Sequence, residues 1–228
     1  KCFVNTNFEN AFEESSIDRI FIPPEVTEIS DGAFKYCEKL QKIYIPINSN
    51  LQIIGENSFC KCGINKIRIP KHLKIIKKEA FFLCKQLKVV EIMVDSELET
   101  IEENAFYGTS IESITIPSSL TNLMKKWCHG MRKLTRIEVS PTNKRYSVYD
   151  EKLIIGKSKI EDDNYNVLVF CVSNVRRIQI PSFIEIIDPY ALENCSKLIE
   201  VDIPSDSKLR IIESHAFCNT MLKKILFP

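Results

Sequence analysis

The chain has 228 residues, of which 44% are hydrophobic and 27% are charged, as in an ordinary soluble globular protein with a sizeable core. Its 31 Lys and Arg residues against 30 Asp and Glu leave a net charge of +1, which excludes a global field that would attract nucleic acid or an anionic membrane. The longest apolar runs, such as residues 167–172, are too short to cross a bilayer, so we expect no membrane insertion in this segment.

A triplet of alternating branched residues recurs along the chain and is usually followed by proline. With its proline it occupies residues 20–23, 43–46, 67–70, 114–117, 178–181, 201–204 and 225–228, and two more triplets keep the register without proline at 90–93 and 137–140. Because alternate residues of a strand point to one face, each triplet predicts a β-strand whose first and third side chains enter the core. Proline then ends the strand, since it has no backbone donor.

A second landmark stands 11 or 12 residues before each proline position. It is a phenylalanine or a residue in its place: Phe12, Phe34, Phe59, Phe81, Phe106, Cys128, Leu192 and Phe217. Successive gaps of 22, 25, 22, 25, 22, 64 and 25 residues indicate pairs of unequal coils and one insertion. The residues before the landmark, such as 30–34, predict a turn that leads into a short helical or 3₁₀ stretch.

One strand, one turn and one return segment make a coil, and a single coil cannot bury its own apolar side. Stacked coils bury a continuous core, and the nine triplets exceed the roughly three repeats that stability requires. We therefore predict a single solenoid domain over residues 1–228. It divides into N-terminal coils at 1–140, an inserted hairpin with a partial coil at 141–177, and C-terminal coils at 178–228. Residues 146–171 are predicted to form a hairpin that projects from the solenoid, because two apolar runs flank a polar turn at 161–164.

Residues 29–37 (Ile-Ser-Asp-Gly-Ala-Phe-Lys-Tyr-Cys) and 40–46 (Leu-Gln-Lys-Ile-Tyr-Ile-Pro) resemble the BspA-like class of leucine-rich repeats, and the resemblance covers nearly all of the chain. The insertion, with Tyr146, Asp150 and apolar strands at 152–156 and 166–171, is also similar to a feature of that class. The resemblance implies a β-rich α/β solenoid, wound as a right-handed superhelix of about nine coils with a β-hairpin insertion. It further implies a surface-displayed or secreted adhesion protein of bacteria or protozoan parasites, without catalytic residues to transfer.

The nine cysteines follow the repeat rather than a pairing pattern. Four of them fall three residues after the landmark: Cys37, Cys62, Cys84 and Cys195. The equivalent places in other coils hold Ser, Thr or Met, so we predict compact buried side chains with reduced thiols. Disulfides between adjacent coils are the alternative.

The sequence shows no recognisable pattern of catalytic or metal-binding residues. Cys60 and Cys62 lack zinc spacing and no second pair follows. The three histidines lie in different coils without a recurring partner, and the six glycines do not cluster. We therefore predict no metal, no cofactor and no enzymatic activity.

The outward positions of each strand are the residue before the triplet and its middle residue, because neither can point into the core. They are aromatic and basic at the N-terminal end and acidic at Glu200 and Asp202. Charges selected only for solubility would give a plain solvated face. Exposed aromatics beside Arg are instead typical of interface anchors, so we predict a partner-binding surface. Its residues are Arg19, Phe21, Lys42, Tyr44, Lys66 and Arg68.

These features predict a non-catalytic module that binds a macromolecular partner, a host or self protein or else a glycan, through the strand face and the inserted hairpin. Nucleic acid is not an expected partner. The alternative is a structural spacer or self-assembling array within a longer surface protein. The resemblance implies the cell surface or secretion, whereas unpaired cysteines would fit the cytoplasm.

The ends of the chain suggest a segment of a longer protein, because it begins without Met and both ends lie inside the repeat pattern. The first seven residues do not have the form of a signal peptide. An uncapped final strand at 225–228 would expose its backbone edge and part of the core. The segment alone in solution is therefore expected to pair through an end, most simply as a two-fold homodimer.

Overall fold

The computed structural model describes residues 9–227, so the first residues of the predicted N-terminal coil and Pro228, which ends the last triplet, lie outside the described part. The described chain winds as a β-solenoid of about nine turns, which confirms the predicted solenoid. Its regular structure consists of nineteen short strands, numbered here in chain order. No described residue lies in a helix, so the described part has no helix that could span a membrane, and the α component of the predicted α/β class is not found.

The predicted triplets form one side of the solenoid, and we call their nine strands the front strands. They are β1 (Arg19–Phe21), β3 (Lys42–Tyr44), β5 (Lys66–Ile69), β7 (Val89–Ile92), β9 (Ser113–Ile116), β11 (Arg136–Val139), β15 (Arg177–Gln179), β17 (Glu200–Asp202) and β19 (Lys224–Leu226). They pair in parallel with equivalent residues side by side, as Ile20 with Ile43 and Val201 with Ile225. The front strands thus form three sheets, β1-β3, β5-β7-β9-β11 and β15-β17-β19.

Two-residue strands form a second side, and we call them the back strands. They are β2 (Glu28–Ile29), β4 (Ile53–Ile54), β6 (Ile75–Ile76), β8 (Thr100–Ile101), β10 (Asn122–Leu123), β16 (Ile186–Ile187) and β18 (Ile211–Ile212). The first five pair in parallel as one sheet. The core lies between the front and back strands, where the inward isoleucines of the central coils, such as Ile54, Ile67 and Ile76, are buried.

The third side of each coil is a tight turn around the landmark residue. Residues two before and two after the landmark have positive φ, as at Asn57 (54°) and Lys61 (57°) around Phe59. Two left-handed residues within one turn stop a helix from propagating, which is why the predicted helical or 3₁₀ stretch does not form. The turn is instead bonded to the next coil, and Phe34 N–H donates to the carbonyl of Ser58 at 2.8 Å.

The landmark phenylalanines stack into a continuous column through the core. Ring centroids of Phe34, Phe59, Phe81 and Phe106 follow one another at 5.3 to 5.4 Å with planes within 7°. The last three of these rings are fully buried. Offset stacking adds to the apolar area that each ring removes from water. The column therefore accounts for the strict position of the landmark in the sequence.

Serine turns explain part of the alternation between shorter and longer coils. In a longer coil, two additional residues follow the proline position, and the N–H of Leu51 donates to Ser49 Oγ at 3.2 Å. Ser96 and Ser207 make the same 3.2 Å bond with Leu98 and Leu209. Ser49 is fully buried, so this bond satisfies a hydroxyl that burial would otherwise penalise.

The four cysteines that stand three residues after the landmark, Cys37, Cys62, Cys84 and Cys195, occupy the compact core positions that the sequence predicts for them. All eight in the described part are free thiols, and all except Cys218 are buried. The Sγ atoms of Cys37, Cys62 and Cys84 each donate to the carbonyl of the landmark phenylalanine one coil earlier, at 2.9 Å. Burial raises the pKa of the Cys62 and Cys84 thiols, which holds them in the unreactive neutral form.

A buried asparagine begins the insertion. Asn143 Nδ2 donates to the carbonyls of Pro117 (2.7 Å) and Leu120 (2.9 Å) in the preceding coil. Its Oδ1 accepts from the N–H groups of Arg145 and Tyr146. One side chain therefore ties the last regular coil to the first inserted strand.

The insertion contains three antiparallel strands, β12 (Tyr146–Tyr149), β13 (Leu153–Gly156) and β14 (Val167–Cys171). The predicted hairpin is present as β13 and β14, but the prediction that residues 146–171 project from the solenoid is wrong. Every residue of these two strands is buried, and β14 pairs with β16, which continues the back strands. The strands are apolar on both faces, and they fill the core between Cys128 and Leu192, where the phenylalanine column is interrupted.

Candidate interaction surface

The structure places all six predicted partner-binding residues on the outer face of β1, β3 and β5. Phe21 and Tyr44 are 58% and 50% exposed, and strand register sets them side by side. Arg19 stands next to Lys42 in the same register. Lys66 and Arg68 are exposed on β5, one coil further. The six predicted residues thus lie on one contiguous surface.

A cleft divides this surface, and we call it the N-terminal cleft. No strand pairing joins β3 to β5 within residues 9–227, although the back strands β4 and β6 of the same coils are paired. The cleft at this break has a volume of about 540 Å³. It is lined by five of the six predicted residues, all except Arg19, together with Gln41, Asn65 and Glu91.

The electrostatics of the N-terminal cleft favour an anionic partner. Glu91 accepts from Lys66 Nζ at 2.6 Å and lies 3.4 Å from Arg68 Nε, and the hydrogen bond from Lys66 is the main reason that the pKa of Glu91 is lowered. Among residues 9–227, Lys42 makes no ion pair. Cations therefore outnumber carboxylates in this cleft, which gives a local positive field that the net charge of the chain conceals.

A second cleft lies at the other end of the front face, and we call it the hairpin cleft. It has a volume of about 660 Å³ and lies between the tip of the β12–β13 hairpin and the front strands β15 and β17. The predicted acidic residues Glu200 and Asp202 line it, with Tyr149, Asp150 and Lys152 opposite them. The sequence did not reveal this cleft, because Tyr149, Asp150 and Lys152 precede β15 by 25 to 28 positions, and their place in front of it depends on how β13 is buried in the core.

Ionisable groups elsewhere have structural roles. Glu193 is buried, and its carboxylate accepts from the Gly130 N–H at 3.0 Å and lies 3.1 Å from His129 Nε2. Burial is the main cause that raises the pKa of the adjacent Cys128 thiol, so this thiol is a poor nucleophile. In the described part of the chain, no three His, Cys, Asp or Glu side chains are grouped as a metal site would require.

Several solved bacterial proteins share this fold. The pneumococcal vaccine antigen PcpA is 23% identical to the chain with a TM-score of 0.84, and the match covers 92% of this chain and 51% of PcpA. A leucine-rich cell surface protein of Faecalibacterium prausnitzii A2-165 is 23% identical with a TM-score of 0.63, covering 86% of this chain and 60% of that protein. A leucine-rich repeat protein of Bacteroides ovatus ATCC 8483 is 23% identical with a TM-score of 0.56, over 86% and 51%.

The chain therefore spans only 51% to 60% of the length of these structures, and at this identity the likeness shows the fold alone. No curated protein is detectably similar to the chain in sequence. Residues 5–147 and 153–228 match the BspA type leucine-rich repeat region, in six copies. Since that match covers almost the whole chain, the protein belongs to the BspA type leucine-rich repeat family.

Proposed function

We propose that this chain is a non-catalytic interaction module that binds an acidic protein surface at the N-terminal cleft. The observation that carries the proposal is the pair of exposed aromatic rings, Phe21 and Tyr44, set beside basic side chains along one cleft. Exposed aromatics and Arg contribute most binding energy at protein interfaces, and complementary charge speeds the encounter.

The fold supports this function in two ways. Parallel strands in register hold the outward residues in fixed columns, so little ordering is required when a partner binds. The similar solved structures include a vaccine antigen and a protein described as a cell surface protein, which supports display at the cell surface and a role in adhesion. The partner is either a host protein or another protein of the same cell, and in both cases it would bind at the N-terminal cleft.

The test compares two double variants of the chain. Phe21→Ala with Tyr44→Ala removes both rings from the cleft. The control, Ile47→Ala with Val94→Ala, removes side chains that are 84% and 88% exposed in the segments after β3 and β7 and that do not line the cleft. Partners captured from extracellular and cell-surface extracts on immobilised wild-type chain are identified by mass spectrometry and then titrated against both variants.

We expect the cleft variant to lose at least about tenfold in affinity and the control to change by less than about twofold. Raised salt should slow association, because the cleft acts through exposed charges. Equal affinity of the wild type and the cleft variant would contradict the proposal. A chain that captures no partner sensitive to either variant would favour the spacer or self-assembling array instead.

A further inference from the structure

We propose that the hairpin cleft is a second binding site, whose ligand is a neutral saccharide. The site shares no residue with the N-terminal cleft, so it does not depend on the proposed protein interaction. Its volume of about 660 Å³ lies within the range of small-molecule sites, roughly 300–1,000 Å³.

The first argument is the combination of an apolar floor and an aromatic wall. Leu153, Ile178 and Pro181 are buried at the base of the cleft. Tyr149 is 40% exposed, and its ring is held edge-on against Phe183 at a centroid distance of 5.6 Å. A sugar ring has an apolar C–H face that packs on an aromatic ring, and a tyrosine already fixed by a neighbour loses little entropy when it does so.

The second argument is the set of planar polar groups on the opposite wall. Gln179 Nε2 donates to Asp202 Oδ2 at 2.9 Å, and Arg177 Nε lies 3.2 Å from Glu200 Oε2. Each group keeps further donors or acceptors, because an amide, a guanidinium and a carboxylate have more sites than these contacts use. Neighbouring hydroxyls of a sugar both donate and accept, so they can bond to such adjacent planar groups at once.

The third argument is charge, which separates a neutral ligand from a charged one. The cations of the cleft are already matched, since Lys152 Nζ lies 2.7 Å from Asp150 Oδ2 and Arg177 pairs with Glu200. Asp202 adds a carboxylate whose hydrogen bond comes from an uncharged amide. An anionic sugar would meet an excess of one negative charge, and only Asp202 offers a cationic ligand a carboxylate that has no cationic partner.

The hairpin tip is also pre-organised. Asp150 and Glu151 have φ values of 49° and 55°, which are left-handed values typical of the central residues of a type I′ turn, and the N–H of Lys152 donates to the Tyr149 carbonyl at 3.2 Å. Tyr149 pairs with Leu153, and the whole of β13 is buried. The wall of the cleft is therefore anchored in the core, which is the arrangement that keeps a binding residue in place without its ligand.

The experiment probes the whole chain with an array of neutral and sialylated glycans, followed by titration of the best neutral oligosaccharide observed by ligand NMR. Tyr149→Ala should lower affinity at least about tenfold and Gln179→Ala about threefold or more, while Tyr149→Phe should retain most of it. Tyr44→Ala, in the N-terminal cleft, is the matched control and should leave sugar binding unchanged. Circular dichroism establishes that each variant keeps the fold.

Several outcomes would overturn the proposal. They are the absence of binding to any neutral glycan, a preference for sialylated glycans, and sugar binding that survives both Tyr149→Ala and Gln179→Ala. Binding of a basic peptide library in place of sugars would also overturn it and would identify the cleft as a second protein site. The Phe21 and Tyr44 variants test protein binding at the N-terminal cleft and are not expected to change sugar binding at the hairpin cleft. Either proposal can therefore be refuted without refuting the other.

Discussion

Replacing Asp188 should make the protein more stable at neutral pH. Asp188 lies just after β16 and is largely removed from solvent, and burial raises the pKa of its carboxyl to about 6 from the ordinary 3.8. Glu213 adds to the rise, whereas Lys125 and Arg145 oppose it without cancelling it. The structure gives the carboxylate no hydrogen-bond donor among the described residues, so its charged form is poorly compensated.

The sign of the effect follows from proton binding. Between about pH 3.8 and pH 6 the folded protein holds the Asp188 proton more tightly than the unfolded chain, so stability falls as pH rises through this window. A difference of about two pKa units corresponds to about 3 kcal/mol lost at pH 7. Asn has the shape of the protonated acid and carries no charge at any pH. Asp188→Asn should therefore stabilise the protein by roughly 1–3 kcal/mol at about pH 7.5 and by at most about 0.6 kcal/mol at about pH 4.

Denaturant unfolding of the wild type and the variant at both pH values measures this difference. Ionisable groups that do not interact with Asp188 are the same in both proteins and cancel in the comparison. Asp206→Asn, at an exposed position after β17, is the control and should change stability by less than about 0.5 kcal/mol at either pH. A gain for Asp188→Asn that is equal at both pH values would refute the reasoning from proton linkage.

Three further predictions concern the core and the insertion. Phe81→Ala should cost about 3–5 kcal/mol in denaturant unfolding, because it leaves a cavity inside the ring column, and a loss below about 1 kcal/mol would show that the column contributes little. The cysteines should be reduced in native protein, and a non-reducing mass that is lower by two hydrogens per bridge would contradict this. Deleting residues 157–164, a loop whose side-chain bonds stay within residues 158–166, should leave the fold intact; global unfolding by circular dichroism would count against it.

The sequence was sufficient to predict the regular part of the fold. Each front strand coincides with a predicted triplet, including those of β7 and β11 that lack proline. This succeeded because the period of two and the fixed spacing of the landmark both follow directly from which side chains are buried. The six candidate residues could be assigned to one surface for the same reason. In a strand, the residues that do not point into the core must point outward.

Backbone conformation on the third side could not be predicted in the same way. Lys61, Leu83 and Tyr190 adopt positive φ without being residues that favour it. They do so because hydrogen bonds between coils, such as Lys61 N–H to the Phe82 carbonyl at 2.8 Å, fix the turn from outside. Local propensity therefore favoured a helical stretch, and the stacking of coils overrode it.

Both clefts arise where the regular solenoid is interrupted. A face of paired parallel strands in register presents columns of side chains on a nearly flat surface. Such a surface gives a partner contact area but does not enclose it. The N-terminal cleft opens where β3 and β5 are not paired, and the hairpin cleft opens where the insertion brings Tyr149 in front of β15. The insertion also supplies Phe170, whose ring packs beside that of Trp127 past the end of the phenylalanine column. The two ring centroids are 6.4 Å apart. The same segment thus closes the core and forms a wall above the front face, so the stability of the fold and the shape of the hairpin cleft depend on one segment of the sequence.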